Sequence, residues 1–281
     1  TGSFKDRGAS LLISKVNELG IKKIVEDSSG NAGSAIAGYC ALAGIDCSIY
    51  VPEDTSEAKL TQIQYFGADL HKILGSREDT ADAILDSAKT TYYASHVWNP
   101  YFFHGTKTFA FEIWEQLGWK SPDVLILPVG HGTLLLGAYI GFTELFNSGE
   151  IDKLPRIIGV QATNCAPLYE MFKRNLNISP KLEKKATLAE GIAIIKPIRA
   201  MEIMEAIKIT EGKILTVTEE EISSSLKKIA HQGYYIEPTS AVTIAGVEQY
   251  LRNSNKNEVI VSVFTGSGLK TTEKMMKLLK E

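Results

Sequence analysis

The sequence is poor in cysteine: Cys40, Cys47 and Cys165 are odd in number and scattered. That usage excludes a disulfide framework and points to a reducing compartment, the cytoplasm. No C-x-x-C pair occurs, and the five histidines (71, 96, 104, 131 and 231) form no H-x-x-x-H or H-E-x-x-H spacing, so no metal site is expected. An excess of either charge is also missing. Thirty basic and 33 acidic residues leave a formal charge of -3 with no basic block, which argues against nucleic acid and against an anionic membrane surface as partners. No apolar run approaches the roughly 20 residues needed to cross a bilayer, and the start has no signal-peptide pattern. Nothing repeats at a fixed period, which excludes a solenoid. An initiating Met is absent too, so the expectation is that Thr1 follows upstream residues the sequence does not include.

What is present is ordinary globular material, 44% apolar and 22% charged over 281 residues, a length that suggests about two domains. Apolar runs rich in Ile and Val alternate with helical patterns, as βαβ units of a parallel sheet require, so the class is α/β. The strand candidates are residues 22–27, 46–52, 69–74, 123–130, 156–161, 212–218 and 258–266. Ser3 with Asp6 is spaced as a capping box, Leu12, Val16 and Leu19 follow as an apolar stripe, and Gly20 sits where a helix would stop. Thr218 and Glu221 repeat the capping-box spacing. Residues 162–211 carry the weakest pattern and read as a long connection with short elements, a kind of segment that often lines a site.

Four stretches rich in small residues stand where strands hand over to helices or where helices begin, and ligands of open parallel sheets lie off the carboxyl ends of strands. In "SSGNAGSAIAGY", Ser28 and Ser29 offer hydroxyls, Gly30 allows a tight turn, and Asn31 opens a helix. The free N–H groups of that helix attract a carboxylate, or the stretch is a plain N-cap loop. In "PVGHGTLLLGAY", Gly130, Gly132 and Thr133 lie between a buried strand and a helix and suit a phosphate. A triphosphate loop would need Lys and a hydroxyl where Ala138 and Tyr139 stand, and a dinucleotide fingerprint would need its third Gly two places earlier. "FTGSGLK" ends a strand at Thr265, Gly266 and Ser267, an ordinary tight turn when taken alone. "TGSFKDRG" places Lys5 in the first turn of a helix, where the macrodipole disfavours a cation. Dipole and partial burial would both lower its pKa toward the neutral amine of a carbonyl nucleophile; the alternative is a surface Lys.

In this order the four motifs resemble the fold type II pyridoxal phosphate enzymes, the tryptophan synthase β family, and within it the threonine synthases and their relatives. The resemblance runs nearly end to end and implies two open parallel-sheet domains with helices on both faces and the cofactor in the cleft between them. The smaller, mobile domain would take residues 21–98 and bind the substrate carboxylate, and the larger would take residues 1–20 and 99–281. It implies pyridoxal 5'-phosphate as cofactor, with Lys5 as its covalent anchor and as the base at Cα. Asn31 would bond the ring hydroxyl, Gly130, His131, Gly132 and Thr133 would hold the phosphate, and Thr265, with Ser267 close by, would meet the pyridine nitrogen. Ser28, Ser29, Gly30 and Ala32 would hold the carboxylate of an amino-acid substrate. A neutral hydroxyl at the ring nitrogen would not keep it protonated, which favours elimination and replacement over transamination. "YYIEPTSAVTIAG" also matches a helix start of the family. The resemblance further implies a lyase, working as a cytoplasmic homodimer in amino-acid biosynthesis. One stretch departs from it. Where threonine synthases of this pattern carry Asn, Ser and Arg for a substrate phosphate, this chain has His96, Val97 and Phe102. Serine or threonine dehydration, another β-replacement, a cofactor-binding protein without turnover and a nucleotide-binding domain therefore stay open beside threonine synthesis.

Overall fold

A computed structural model describes residues 1–55, 57–75, 77–183, 185–252, 254 and 257–279. The chain divides into two compact units, Thr1–Thr106 and Lys107–Glu281. In the first, α1 (Lys5–Glu18), β1 (Lys23–Glu26), α2 (Asn31–Ala43), β2 (Asp46–Pro52), α3 (Glu57–Tyr65), β3 (Asp69–Ile73), α4 (Arg77–Ser87), β4 (Tyr92–Tyr93) and α5 (Pro100–Thr106) follow in order. The second contains α6 (Thr108–Gln116), β5 (Val124–Pro128), α7 (Thr133–Asn147), β6 (Arg156–Ala162), α8 (Pro167–Arg174), α9 (Ala200–Ile209), β7 (Lys213–Val217), α10 (Glu219–Ala230), α11 (Pro238–Leu251), β8 (Ile260–Ser262) and α12 (Thr272–Leu278). This division differs from the one read from the sequence, because α1 packs on α2 and α5 inside the first unit.

Among the described residues, each unit holds one four-stranded, all-parallel sheet. The strand orders are β3-β2-β1-β4 and β7-β6-β5-β8, so both sheets are wound by the same rule. The winding direction reverses beside β1 in one and beside β5 in the other. That reversal opens a crevice at the carboxyl ends of the two central strands, the place where a doubly wound sheet accepts a ligand. Helices cover both faces, as the composition of β5 requires: all five of its residues are buried.

The first unit has its core between α1, α2 and the sheet. Ala9, Leu12, Ile13 and Val16 face inward from α1 at helical spacing, each large side chain contributing roughly 1.5–3 kcal/mol by burial. Gly20, at φ 70°, ends that helix as expected, its N–H donating to the carbonyl of Asn17 at 3.0 Å. The start differs from expectation. Phe4 is the N-cap with no side-chain cap bond, and the Asp6 carboxylate turns back to accept the Thr1 hydroxyl at 2.5 Å instead of capping with Ser3. The second capping box forms: Thr218 Oγ1 accepts from Glu221 N–H at 3.2 Å, and the Glu221 carboxylate accepts from Thr218 N–H at 2.8 Å. In the second core, Ile158 and Val160 of β6 pack with Ala241, Val242 and Ala245 of α11. The weakly patterned stretch from 162 to 211 contains α8 and α9, the latter ten residues long, so it is more regular than its sequence suggests.

Candidate functional site

In the first unit the loop after β1 is the turn at the reversal point. Ser28, Ser29 and Gly30 lie in it, Asn31 and Ala32 open α2 directly after it, and Gly30 is the N-cap of α2 without any side-chain cap bond. The first N–H groups of α2 are therefore not met by a capping side chain, which is the local requirement for an anion site. Ser28 Oγ accepts from the Gly30 N–H at 3.3 Å, closing the turn. Gly33 lets α2 pass against that turn, because a methyl group there would overlap the Ser28 carbonyl.

At the end of β1 lies a set of buried polar groups, of which the sequence marked only His96, and that as a departure from the family pattern. Glu26 ends β1 and Asp27 follows it, at 0% and 5% exposure. Glu26 Oε1 lies 2.6 Å from His96 Nδ1, and Asp27 Oδ1 accepts the Tyr93 hydroxyl at 2.6 Å. Burial, then the neighbouring charges of Glu26 and Asp27, hold the Tyr93 phenol well above its ordinary pKa. These partners are 70 and 66 residues apart in the chain, so no local pattern could have found them. They join β1 to β4 at the reversal point.

Lys5 is the first residue of α1, as its position after "TGSF" suggested. Its Nζ lies 5.0 Å from the Phe4 ring centroid and 5.6 Å from that of Phe102, within cation–π range of both. Phe102 is fully buried on α5, and Gly8 on α1 makes room for its ring. Gly105 lets α5 approach further, since a methyl there would meet the Arg7 carbonyl and the Gly8 backbone. His96 packs edge-on against the same ring, with centroids 5.9 Å apart. His96 and Phe102, two of the three departures from the family pattern, are thus neighbours in one packed cluster.

In the second unit the turn after β5 brings Gly130, His131, Gly132 and Thr133 together. Gly132 is the N-cap of α7 at φ 85°, a left-handed conformation that favours glycine, and again no side chain caps the helix. Ile192, Ile194 and Ile203 pack against Gly130 and Gly132, so the long connection does line this turn. After β8, Thr265 is 1% exposed and its hydroxyl donates to Glu237 Oε1 at 2.6 Å. Ser240 lies 2.9 Å away on the same helix as Pro238. Ser267 is turned elsewhere: its Oγ accepts from the Leu269 N–H at 3.3 Å and caps the short 3-10 turn that follows. Glu237 and Ser240 belong to the "EPTSA" segment, whose sequence marked a helix start without revealing that its carboxylate faces Thr265.

The first unit by itself offers a Lys amine and an uncapped helix N-terminus, and the second by itself an uncapped helix N-terminus and a buried hydroxyl at a strand end; these are the group types that an aldehyde cofactor with one phosphate and a heteroaromatic ring requires. Among the described residues no group of three or more His, Cys, Asp or Glu is placed to hold a metal ion, and no described helix is long and apolar enough to cross a membrane.

Residues 1–266 match the family described as pyridoxal-phosphate dependent enzyme. The chain is 35% identical over 286 residues to threonine synthase of Methanocaldococcus jannaschii, an alignment covering 100% of this chain and 71% of that protein. It is 32% identical over 283 residues to threonine synthase of Mycobacterium bovis, covering 99% and 76%. Its fold is similar to the processed form of threonine deaminase isoform 2 from Solanum lycopersicum (TM-score 0.81, 24% identity, 99% and 79% of the two chains). It is also similar to serine racemase from Dictyostelium discoideum (TM-score 0.77, 25% identity, 95% and 83%). With its end-to-end match and its two parallel-sheet units, the chain belongs to the pyridoxal-phosphate dependent enzymes, as a lyase with pyridoxal 5'-phosphate as its cofactor.

Proposed function

We propose that this lyase acts on a small amino acid by removing the Cα proton and then eliminating or replacing a side-chain group, in the manner of a threonine synthase converting O-phosphohomoserine to threonine. The observation that carries the reading is the 35% identity to a threonine synthase over the whole chain. When bound, pyridoxal phosphate supplies an electron sink for the charge that develops at Cα. In this reading Lys5 anchors the cofactor aldehyde and holds the Cα proton, and Asn31 bonds the ring hydroxyl. The α7 N-terminus, from Gly130 through His131 and Gly132 to Thr133, holds the phosphate, and Thr265 meets the ring nitrogen. Ser267, occupied with its own turn, would contribute to the shape of that end of the site. Ser28, Ser29, Gly30 and Ala32, at the uncapped start of α2, orient the substrate carboxylate. Residues 21–98 are proposed as the part that moves on binding, and the working form as a cytoplasmic homodimer.

A second reading, dehydration of serine or threonine, is favoured by one specific observation. Phe102 is fully buried and apolar where Arg would grip a second phosphate, and His96 is engaged with Glu26. Purified holoenzyme offered O-phosphohomoserine, Ser and Thr separates the two: phosphate release with threonine formation supports the first, and 2-oxo acid formation from Ser or Thr alone supports the second. Lys5→Ala tests the shared core. It is expected to abolish the visible absorbance of the bound cofactor while leaving the far-UV circular dichroism intact, and unchanged absorbance would remove Lys5 from its role.

A further inference from the structure

Backbone pairing between β1 and β4 covers Ile24 with Tyr92 and Val25 with Tyr93, and the Ala94 N–H donates to the Val25 carbonyl at 2.9 Å. Past that point side chains take over. The Tyr93 hydroxyl donates to Asp27 Oδ1 at 2.6 Å, and Glu26 Oε1 meets His96 Nδ1 at 2.6 Å. Ser95 Oγ accepts from the Val97 and Trp98 N–H groups at 3.3 and 3.2 Å, closing the turn that carries His96. Burial above all holds the Tyr93 phenol well above its ordinary pKa, so it keeps its proton at neutral pH and remains a donor.

Asp27 stands three residues before Gly30, the N-cap of α2 that makes no side-chain cap bond. An Asp in such a place has a strong local alternative. Its side chain folds over its own backbone and accepts from the N–H two residues on, here that of Ser29, a tendency it shares with uncharged asparagine. Ser29 belongs to the loop proposed to take the substrate carboxylate. A side chain that made this turn would fill, from within the chain, the place the substrate is to occupy. The loop has little room to retreat from it: Ser28 Oγ accepts from the Gly30 N–H at 3.3 Å, and α2 passes so close that a methyl group on Gly33 would overlap the Ser28 carbonyl.

From this geometry we infer that Tyr93 is a positioning residue that draws the Asp27 side chain toward β4 and so keeps the loop of residues 28–30 open for the carboxylate of the substrate. The inference rests on the carboxylate role proposed for that loop. Tyr93 acts through Asp27 and needs no contact with the substrate. Its partner is 5% exposed, so solvent offers Asp27 Oδ1 little in exchange for the phenol. The Glu26–His96 contact does the same for the neighbouring acid, tying it to the residues after β4.

The test is the binding of L-alanine, and of L-alaninamide, which lacks the carboxylate, to the holoenzyme, each followed by the absorbance change of the bound cofactor. Alanine has no side-chain group to eliminate, so binding is read without turnover. The unaltered enzyme is expected to prefer alanine. Tyr93→Phe is expected to raise the half-saturating concentration of alanine about tenfold, as loss of roughly one hydrogen bond to a charged group would, and to leave that of alaninamide unchanged. Adding Asp27→Ala removes both partners of the bond together and should restore the alanine affinity. If affinity is not restored, Tyr93 braces the loop rather than withholding Asp27 from it, and the inference fails. Equal weakening of both ligands by Tyr93→Phe, or weakening of neither, also overturns it while the loop keeps its role. If the unaltered enzyme binds the two ligands alike, the carboxylate role of the loop and the inference fall together.

Discussion

Gly8 offers a prediction whose sign, not only its size, depends on Phe102. An alanine at an exposed mid-helix glycine ordinarily stabilises by about 0.5–1 kcal/mol, because the backbone loses less freedom on folding. At Gly8 of α1 the added methyl would run into Cδ1, Cε1 and Cζ of Phe102, a rigid ring with no exposed surface. Overpacking of this kind costs about 1–3 kcal/mol. Gly8→Ala is therefore expected to destabilise by roughly 0–2.5 kcal/mol net, the propensity gain partly offsetting the clash. Phe102→Ala alone should cost about 3–5 kcal/mol by leaving a cavity beside Lys5. In that background the clash disappears and Gly8→Ala should become stabilising, giving a coupling of roughly 1–3 kcal/mol between the two sites. Urea unfolding midpoints of the four proteins measure the cycle. Additive effects, or a stabilising Gly8→Ala in the unaltered protein, would refute the tight α1–α5 contact on which the placement of Lys5 depends.

Two further expectations follow from buried groups and backbone shape. Tyr93 has its folded pKa raised above the ordinary 10.0, so its contribution to stability is complete below that pH. It is lost above it, where the unfolded chain releases a proton that the folded chain keeps, at about 1.4 kcal/mol per pH unit. Tyr93→Phe should flatten this alkaline decline in urea titrations run at successive pH values, and an unchanged slope would show that the phenol is not shielded. Some slope will persist, because the Tyr39 and Tyr250 phenols are raised as well. Gly132→Ala forces a side chain into a φ of 85° beside Ile203. The conformational part alone costs about 1–2 kcal/mol, and cofactor titration should show weakened binding, whereas binding at the original affinity would mean the turn does not hold the phosphate.

Much of the fold was legible because it is local. Each of the seven strand candidates overlaps an observed strand, and the alternation that implied parallel sheets is what the two sheets display. β4 escaped notice because two residues carry no periodicity. The two capping-box spacings were equal in sequence, yet only Thr218 forms one, since Asp6 has a nearer partner in Thr1. The glycine turns and Lys5 could be read because each combines unusual residues within a few positions. Glu26 with His96, and Glu237 with Thr265, could not. Their meaning depends on pairing across β1 and β4, or across α11 and β8, and strand order is not written in local pattern. Phe102 was visible as a departure, but only its contact with Gly8 shows that its ring is part of the core.

The two sheets share a winding rule, but they are completed at different times during synthesis. The first is finished once the ribosome has passed β4 at Tyr92–Tyr93, whereas β5 must wait for β8, whose Ser262 hydroxyl reaches back 136 residues to the Ile126 carbonyl. Until then one edge of an entirely apolar strand is open, a liability for pairing with other chains. Thr265, the residue proposed to meet the cofactor ring, lies three residues beyond β8, so the nascent chain acquires it and covers the open edge of β5 within the same short stretch of translation.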